Sequence, residues 1–504
     1  MSVEHSPQYD IAYHFVAYDA DGRERPGQHG LASTEVAEAA ERERPTDVFF
    51  FSHGWNANSH GATDQYGHWV DAMATRTGDR ERLRPRAGGF RPLLAGVHWP
   101  SKAWADEDLT GMSYAVSDIQ NAATPTANAV DSASDPVSRL VAEYAERLGD
   151  SPTVRDAIRT IFESALKDAA PPTLPDDVRD AYEQLDASIG LAQAGEGAAP
   201  GDDREPFDAE ETYQAALFMD VAGPLSFSGF SLGGLLAPLR VMSFWTMKSR
   251  ARSFGETGAS ELLARLQHAA SDARFHVMGH SFGCIVASAA IAGKPGSPGP
   301  RRKVDTLVLV QGAMSLWSFC RSIPAKPGRD GYFHAIVRDE LVRGPTIVTT
   351  SVHDRAVRFF YPIGAGARGD VAFDLDKLPV YGGIGTFGVR GPGIEIRDEQ
   401  LERVDEDYRL QPGVVYNLNA NSVISISKGI SGAHSDICHP EVARAVWRAV
   451  EGLVLFQERG HFDGLAPGRV RCTSRARALS RRDGWSGRMP ACNVWGFPER
   501  RHRP

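Results

Sequence analysis

Gly279-His280-Ser281-Phe282-Gly283 sets a serine midway between two glycines. That spacing suits a strand that turns sharply into a helix and holds a hydroxyl out at the bend, where it can attack a carbonyl carbon. A hydroxyl at its ordinary pKa is a poor nucleophile, so an imidazole must take its proton and a carboxylate must fix that imidazole's tautomer. His434, in Gly432-Ala433-His434-Ser435-Asp436, and Asp354, in Ser351-Val352-His353-Asp354, are assigned those parts. Charge building on the carbonyl oxygen needs two backbone donors. Phe282, next after the serine, supplies one, and Trp55, in Ser52-His53-Gly54-Trp55-Asn56, supplies the other. Gly54 lets that loop approach closely. His53 is read as a structural, hydrogen-bonding support for it.

Each assignment has a rival. Gly229-Phe230-Ser231-Leu232-Gly233 repeats the serine pattern, but a poor strand precedes it, and Gly234 and Pro238 spoil the helix that should follow. Ser231 is therefore given a structural part. Ser281 instead has Arg274-Phe275-His276-Val277-Met278 before it as a strand, with a small-residue helix after it at 284–292. Asp370, Asp374 and Asp376 compete with Asp354, yet they sit in a Gly-rich stretch with no strand ahead of them. His439 competes with His434, but it directly precedes Pro440 and is assigned to a helix start, where Asp436 can act as a cap.

The elements that would carry these residues alternate. Strands are predicted at 9–17, 47–51, 93–98, 275–278, 304–310, 346–350 and 414–418, with helices at 34–44, 67–77, 260–270, 284–292 and 440–455. That order specifies an α/β protein with a mostly parallel sheet wrapped by helices. The alternation breaks over residues 105–210, which hold 23 Asp or Glu against 7 Lys or Arg. Helices are predicted there at 135–148 and 151–168. We therefore divide the chain into a catalytic domain (1–104 and 245–456), a mostly helical acidic insertion (105–244) and a basic, disordered tail (457–504). Whether the insertion is a lid over the site or a decorating bundle is open at this point.

Composition narrows the classes. An apolar content of 42% and a charged content of 24% suit a soluble globular chain, and a net charge of -9 disfavours nucleic acid as a partner. Five scattered cysteines with no Cys-x-x-Cys pair suggest neither a zinc site nor a disulfide framework, so no metal or cofactor is expected. The first residues lack a secretory signal pattern, and a cytoplasmic location is expected. Residues 221–239 carry no charge, but two prolines and four glycines argue against a membrane span. The stretch is read as buried or interfacial, with membrane-surface contact left open.

His53-Gly54-Trp55-Asn56, Gly279-His280-Ser281-Phe282-Gly283, Asp354 and Gly432-Ala433-His434, in that order, resemble the motifs of the α/β-hydrolase superfamily. Residues 243–252 are also similar to a group of uncharacterised bacterial members. The resemblance implies a serine hydrolase working through an acyl-enzyme. A small-molecule or lipid carboxylic ester is the favoured substrate, peptide or amide hydrolysis is the rival within the class, and a non-catalytic binding protein is the rival outside it. The insertion departs from the resemblance by preceding the elbow strand, whereas many lids in the family come after the strand that follows it.

Overall fold

An uninterrupted apolar run has to be covered on both faces of a sheet, and Val48-Phe49-Phe50-Phe51, between Asp47 and Ser52, is such a run. In the computed structural model of the chain every one of these residues is buried, in a strand interior to the sheet. The structure describes residues 3–27, 30–55, 59–86, 88–101, 136–148, 150–190, 195–221, 226–227, 230–231, 234–296, 302–361, 378–401, 403, 409–427 and 431–462.

Among these residues the strands are β1 (Val3–His5), β2 (Ala12–Ala17), β3 (Asp47–Ser52), β4 (Pro92–His98), β5 (Ser226–Phe227), β6 (Phe230–Ser231), β7 (Arg274–His280), β8 (Thr306–Val310), β9 (Thr346–Thr350), β10 (Ile396–Gln400) and β11 (Val415–Asn419). Nine of them form one sheet in the order β1-β2-β4-β3-β7-β8-β9-β11-β10, while β5 and β6 make a separate short hairpin. Only β1 runs antiparallel within the large sheet. Parallel neighbours need crossovers, and helices supply them.

The helices are α1 (Ala32–Glu43), α2 (Ser59–Thr75), α3 (Thr77–Leu83), α4 (Pro136–Leu148), α5 (Pro152–Lys167), α6 (Asp176–Ile189), α7 (Ala209–Val221), α8 (Ala237–Phe254), α9 (Ser260–Ala269), α10 (Gly283–Ala292), α11 (His334–Arg338), α12 (Ile384–Phe387) and α13 (Pro440–Phe462). Strand alternation sends Val48, Phe50, Phe275 and Val277 to one face of the sheet, where α1, α8, α9 and α10 cover them. Phe49, Phe51 and Met278 face the other way, against α2, α3 and α13. The buried side chains of α4, α5 and α6, with Tyr213 of α7, join the first of these clusters, so they share one continuous apolar layer with the sheet. At about 25 cal/mol per Å² of apolar surface, such layers are the main stabilising contribution.

Local signals explain several boundaries. Arg44 takes a left-handed backbone, φ 48°, and ends α1 just before Pro45. Ser151 caps α5 by accepting the Val154 N–H, and Pro152 fills the first helical position. Other boundaries differ from expectation. Helix α2 begins at Ser59, well ahead of 67, and α13 continues to Phe462, into the segment assigned to the tail. The division drawn at 244/245 falls inside α8. Ser231 pairs with Ser226 in the β5–β6 hairpin, so it does not stand at a strand-to-helix turn.

The chain between α6 and α7 is tied to the sheet by a buried polar cluster. Ser315 donates its hydroxyl to Glu196 Oε1 at 2.5 Å, and Lys248 Nζ donates to Asp203 Oδ2 at 2.5 Å and to the Tyr361 hydroxyl at 2.7 Å. Burial, and then the Asp203 charge, push the Glu196 carboxyl up to about 8, so it keeps its proton at neutral pH. An unfolded Glu releases that proton near 4.5. Between those values the folded chain binds the extra proton, so this contribution to stability falls as pH rises. Glu196→Gln, which stays neutral and can still accept from Ser315, should raise the thermal midpoint over wild type more at about pH 8.5 than at about pH 5. An equal shift at both would refute this.

Candidate active site

Strand β7 ends at His280 and α10 begins at Gly283, leaving two residues for the bend. Ser281 takes a left-handed backbone, φ 55°, which costs a non-glycine residue about 1–2 kcal/mol. Its neighbours hold it there: Ser281 N–H donates to Val310 O at 3.1 Å, while Ala313 N–H and Cys284 N–H donate to Ser281 O at 3.2 and 3.1 Å. The end of β8 thus fixes the bend. A side chain on Gly279 would strike the Gly283 carbonyl, and one on Gly283 would strike the Ser52 and His53 carbonyls. Both glycines are demanded by packing.

Asp354 follows β9 and is fully buried, and its Oδ1 accepts the Val357 N–H at 2.9 Å. Its Oδ2 lies 2.8 Å from His434 Nδ1. The loop carrying His434 docks on the loop carrying Asp354 through Ala433 N–H to His353 O at 2.9 Å, with Gly432 at φ 62°. With its amide nitrogen directed at them, Gln311 donates to Asp354 Oδ2 at 2.9 Å and to Gly385 O at 2.8 Å. His280, adjacent to Ser281, donates from Nε2 to the His434 carbonyl at 2.9 Å, and the two rings lie 4.8 Å apart. Burial, reinforced by His434, pushes the His280 pKa well below its usual value, so that ring is neutral.

The structure therefore brings His434 onto Asp354 and places both beside the bend. The Ser281 hydroxyl has no hydrogen-bond partner among the described residues, so the His434 ring is not engaged with it here. Unliganded sites commonly leave this contact open until substrate enters.

Residues 53–55 meet the bend from β3. A side chain on Gly54 would lie 2.8 Å from Ser281 Cβ, so the two backbones touch. The backbone N–H groups of Trp55 and Phe282 donate to no described residue. The Trp55 ring packs on Phe282 at 5.6 Å and on Phe244 at 5.8 Å, an aromatic cluster in which both phenylalanines are buried and Trp55 is partly exposed. His53 is fully buried: Nδ1 lies 2.8 Å from Gly54 O and Nε2 lies 3.0 Å from His98 Nδ1. Burial, then His98, lowers its pKa to about 3. Burial, then Arg25, lowers that of His98 to about 4.

The rivals go elsewhere. His439 Nε2 lies 2.9 Å from Asp436 Oδ1, and Asp436 Oδ2 accepts the Ser425 and Ile426 N–H groups, so that pair holds a loop. Asp370, Asp374, Asp376 and Asn56 lie outside the described residues. Trp99 is buried, stacked on His53. Trp317 is likewise buried, its Nε1 donating to Val380 O at 2.9 Å. Gln311 and the His280–His434 contact went unseen in the sequence. The only signal for Gln311 was its position one residue past a strand end.

An imidazole whose Nδ1–H is held by a buried carboxylate presents Nε2 as a proton acceptor, and two unspent amides near a serine can receive an oxyanion. Among the described residues no group of three or more His, Cys, Asp or Glu could hold a metal ion. Compared with protein-family profiles, curated proteins and solved structures, the chain matches none.

The three neutral histidines make stability pH-dependent. Unfolded, each takes a proton near 6.5; folded, His98 resists to about 4 and His53 to about 3. Stability is thus fully present above about pH 6.5 and is lost as pH falls toward those lower values. In the Glu196→Gln background, which removes the opposing contribution, urea unfolding should show a free energy that is flat from about pH 8 to 7 and lower by a few kcal/mol at about pH 4.5. No decline down to that pH would refute the assignment.

Proposed function

We propose that this chain is a serine hydrolase of the α/β-hydrolase fold that cleaves a carboxylic ester through an acyl-enzyme on Ser281. What carries the proposal is the 2.8 Å contact between His434 Nδ1 and the fully buried Asp354 carboxylate, tied through the His434 carbonyl to His280, the residue beside the serine. Ser281 Oγ attacks the ester carbonyl and passes its proton to His434 Nε2, and the carbonyl oxygen becomes an oxyanion facing the Trp55 and Phe282 amides. The bond to the leaving oxygen then breaks, and His434 returns the proton to the departing alcohol. Water, deprotonated by the same imidazole, attacks the acyl carbon, the bond to Ser281 Oγ breaks as the imidazolium returns its proton to that oxygen, and the acid leaves.

Several observations bear on substrate and setting. The partly exposed Trp55 ring, on the loop that touches Ser281, favours an apolar acyl group, as in a small-molecule or lipid ester. The acidic helices ahead of the elbow strand are assigned as an insertion into the hydrolase fold. Cys284 and Cys320 are free and buried, which fits the reducing cytoplasm. Among the described residues no helix is long and apolar enough to cross a membrane. The unengaged Ser281 hydroxyl favours a second reading, a fold that binds a ligand without turning it over.

A fluorophosphonate probe separates the two. Wild type and Ser231→Ala should label covalently and Ser281→Ala should not; an unlabelled wild type would leave the binding protein standing. Asp354→Asn should lower kcat on p-nitrophenyl esters by about 10⁴-fold. A chain-length series of those esters, run beside a p-nitroanilide, tests ester against amide.

A further inference from the structure

We infer that His53 is a positioning residue that aims the Trp55 amide N–H into the site by gripping the carbonyl of the same peptide unit. This deepens the hydrolase proposal and rests on it. A trans peptide is planar, so its C=O and N–H point in opposite directions. The Gly54 carbonyl lies 2.8 Å from His53 Nδ1, on the buried side of the loop. The N–H of that unit, which belongs to Trp55, therefore points away from His53, and it has no acceptor among the described residues.

The tautomer follows from the partners. Trp99 N–H lies 3.3 Å from His53 Nε2 and can only donate, so Nε2 carries the lone pair and Nδ1 carries the hydrogen. His98 then donates from Nδ1 to His53 Nε2 at 3.0 Å. The Trp99 ring stacks on His53 at 5.6 Å and 4°, which fixes the plane of the donor.

The need for such a grip comes from Gly54. Close approach to Ser281 excludes a side chain there, and a glycine leaves the 54–55 peptide unit free to rotate. Rotated by half a turn, the unit would turn its carbonyl oxygen toward the forming oxyanion and replace attraction by repulsion. The histidine before the glycine removes that alternative.

An asparagine places its amide nitrogen near Nδ1 of the ring it replaces, and a glutamine places its amide near Nε2. His53→Asn can therefore keep the donor to Gly54 while losing the acceptor for Trp99 and His98, and His53→Gln does the reverse. With active sites counted by the fluorophosphonate end point, His53→Gln should lose about 10²-fold in kcat while KM stays within about threefold. Its affinity for a boronic acid analogue of the tetrahedral intermediate should fall by the same factor. His53→Asn should retain most of kcat. Equal losses in the two variants, or full activity in His53→Gln, would overturn the inference. If neither variant folds, ¹⁵N-histidine NMR of wild type decides: a neutral ring protonated at Nδ1 is expected, and protonation at Nε2 would overturn it. A wild type that does not label fails the hydrolase proposal instead.

Discussion

The left-handed backbone at Ser281 is the constraint on which the rest of the site depends. A serine does not hold φ near 55° unaided. Here the strain is countered by bonds from the end of β8 and from the first turn of α10, and by two glycines that let strand, helix and the β3 loop crowd together. Each of those supports is itself anchored in the sheet. The bend is thus a property of three adjacent parallel strands, β3, β7 and β8, and of the apolar layers that keep them in register.

From that bend the site grows outward by backbone contacts between loops at one edge of the sheet. Asp354 follows β9, and His434 lies beyond β11, the strand next to β9. Val352 N–H donates to Asn421 Oδ1 and Ser351 Oγ to Ile424 O, so the chain leaving β11 is laced to the chain leaving β9 before His434 is reached. A carboxylate on one loop and an imidazole on the other meet as a consequence of strand order. His280 closes the circuit by joining the second loop back to the bend.

This also explains what was legible beforehand. Ser281 and Asp354 each stand just past a β-branched or apolar strand, and His434 lies in the loop after another, so their places relative to the strands follow from the sequence. Gln311 was not legible, because its reach to Asp354 depends on how β8 and β9 align, which no local pattern encodes. Strand β10, Ile-Arg-Asp-Glu-Gln, sits at the sheet edge with its residues partly buried or exposed and lacks the apolar alternation that marks a strand in sequence. The sequence pattern predicts helix α2 too short because Gly61 and Thr63 are weak helix formers, although Ala62 and Tyr66 behind them are buried and carry the packing.

The acidic helices differ from the appendage their composition suggests. Ile158, Phe162, Tyr182 and Leu185 lie in the same apolar cluster as Leu239, Met242 and Phe254 of α8, which in turn lies over the sheet. Cutting the chain to the strands and their crossovers, the usual shortcut to a minimal catalytic core, would strip α8 of its outer cover and leave a greasy flank in water. The smallest unit of this protein able to keep its own shape therefore includes the acidic bundle.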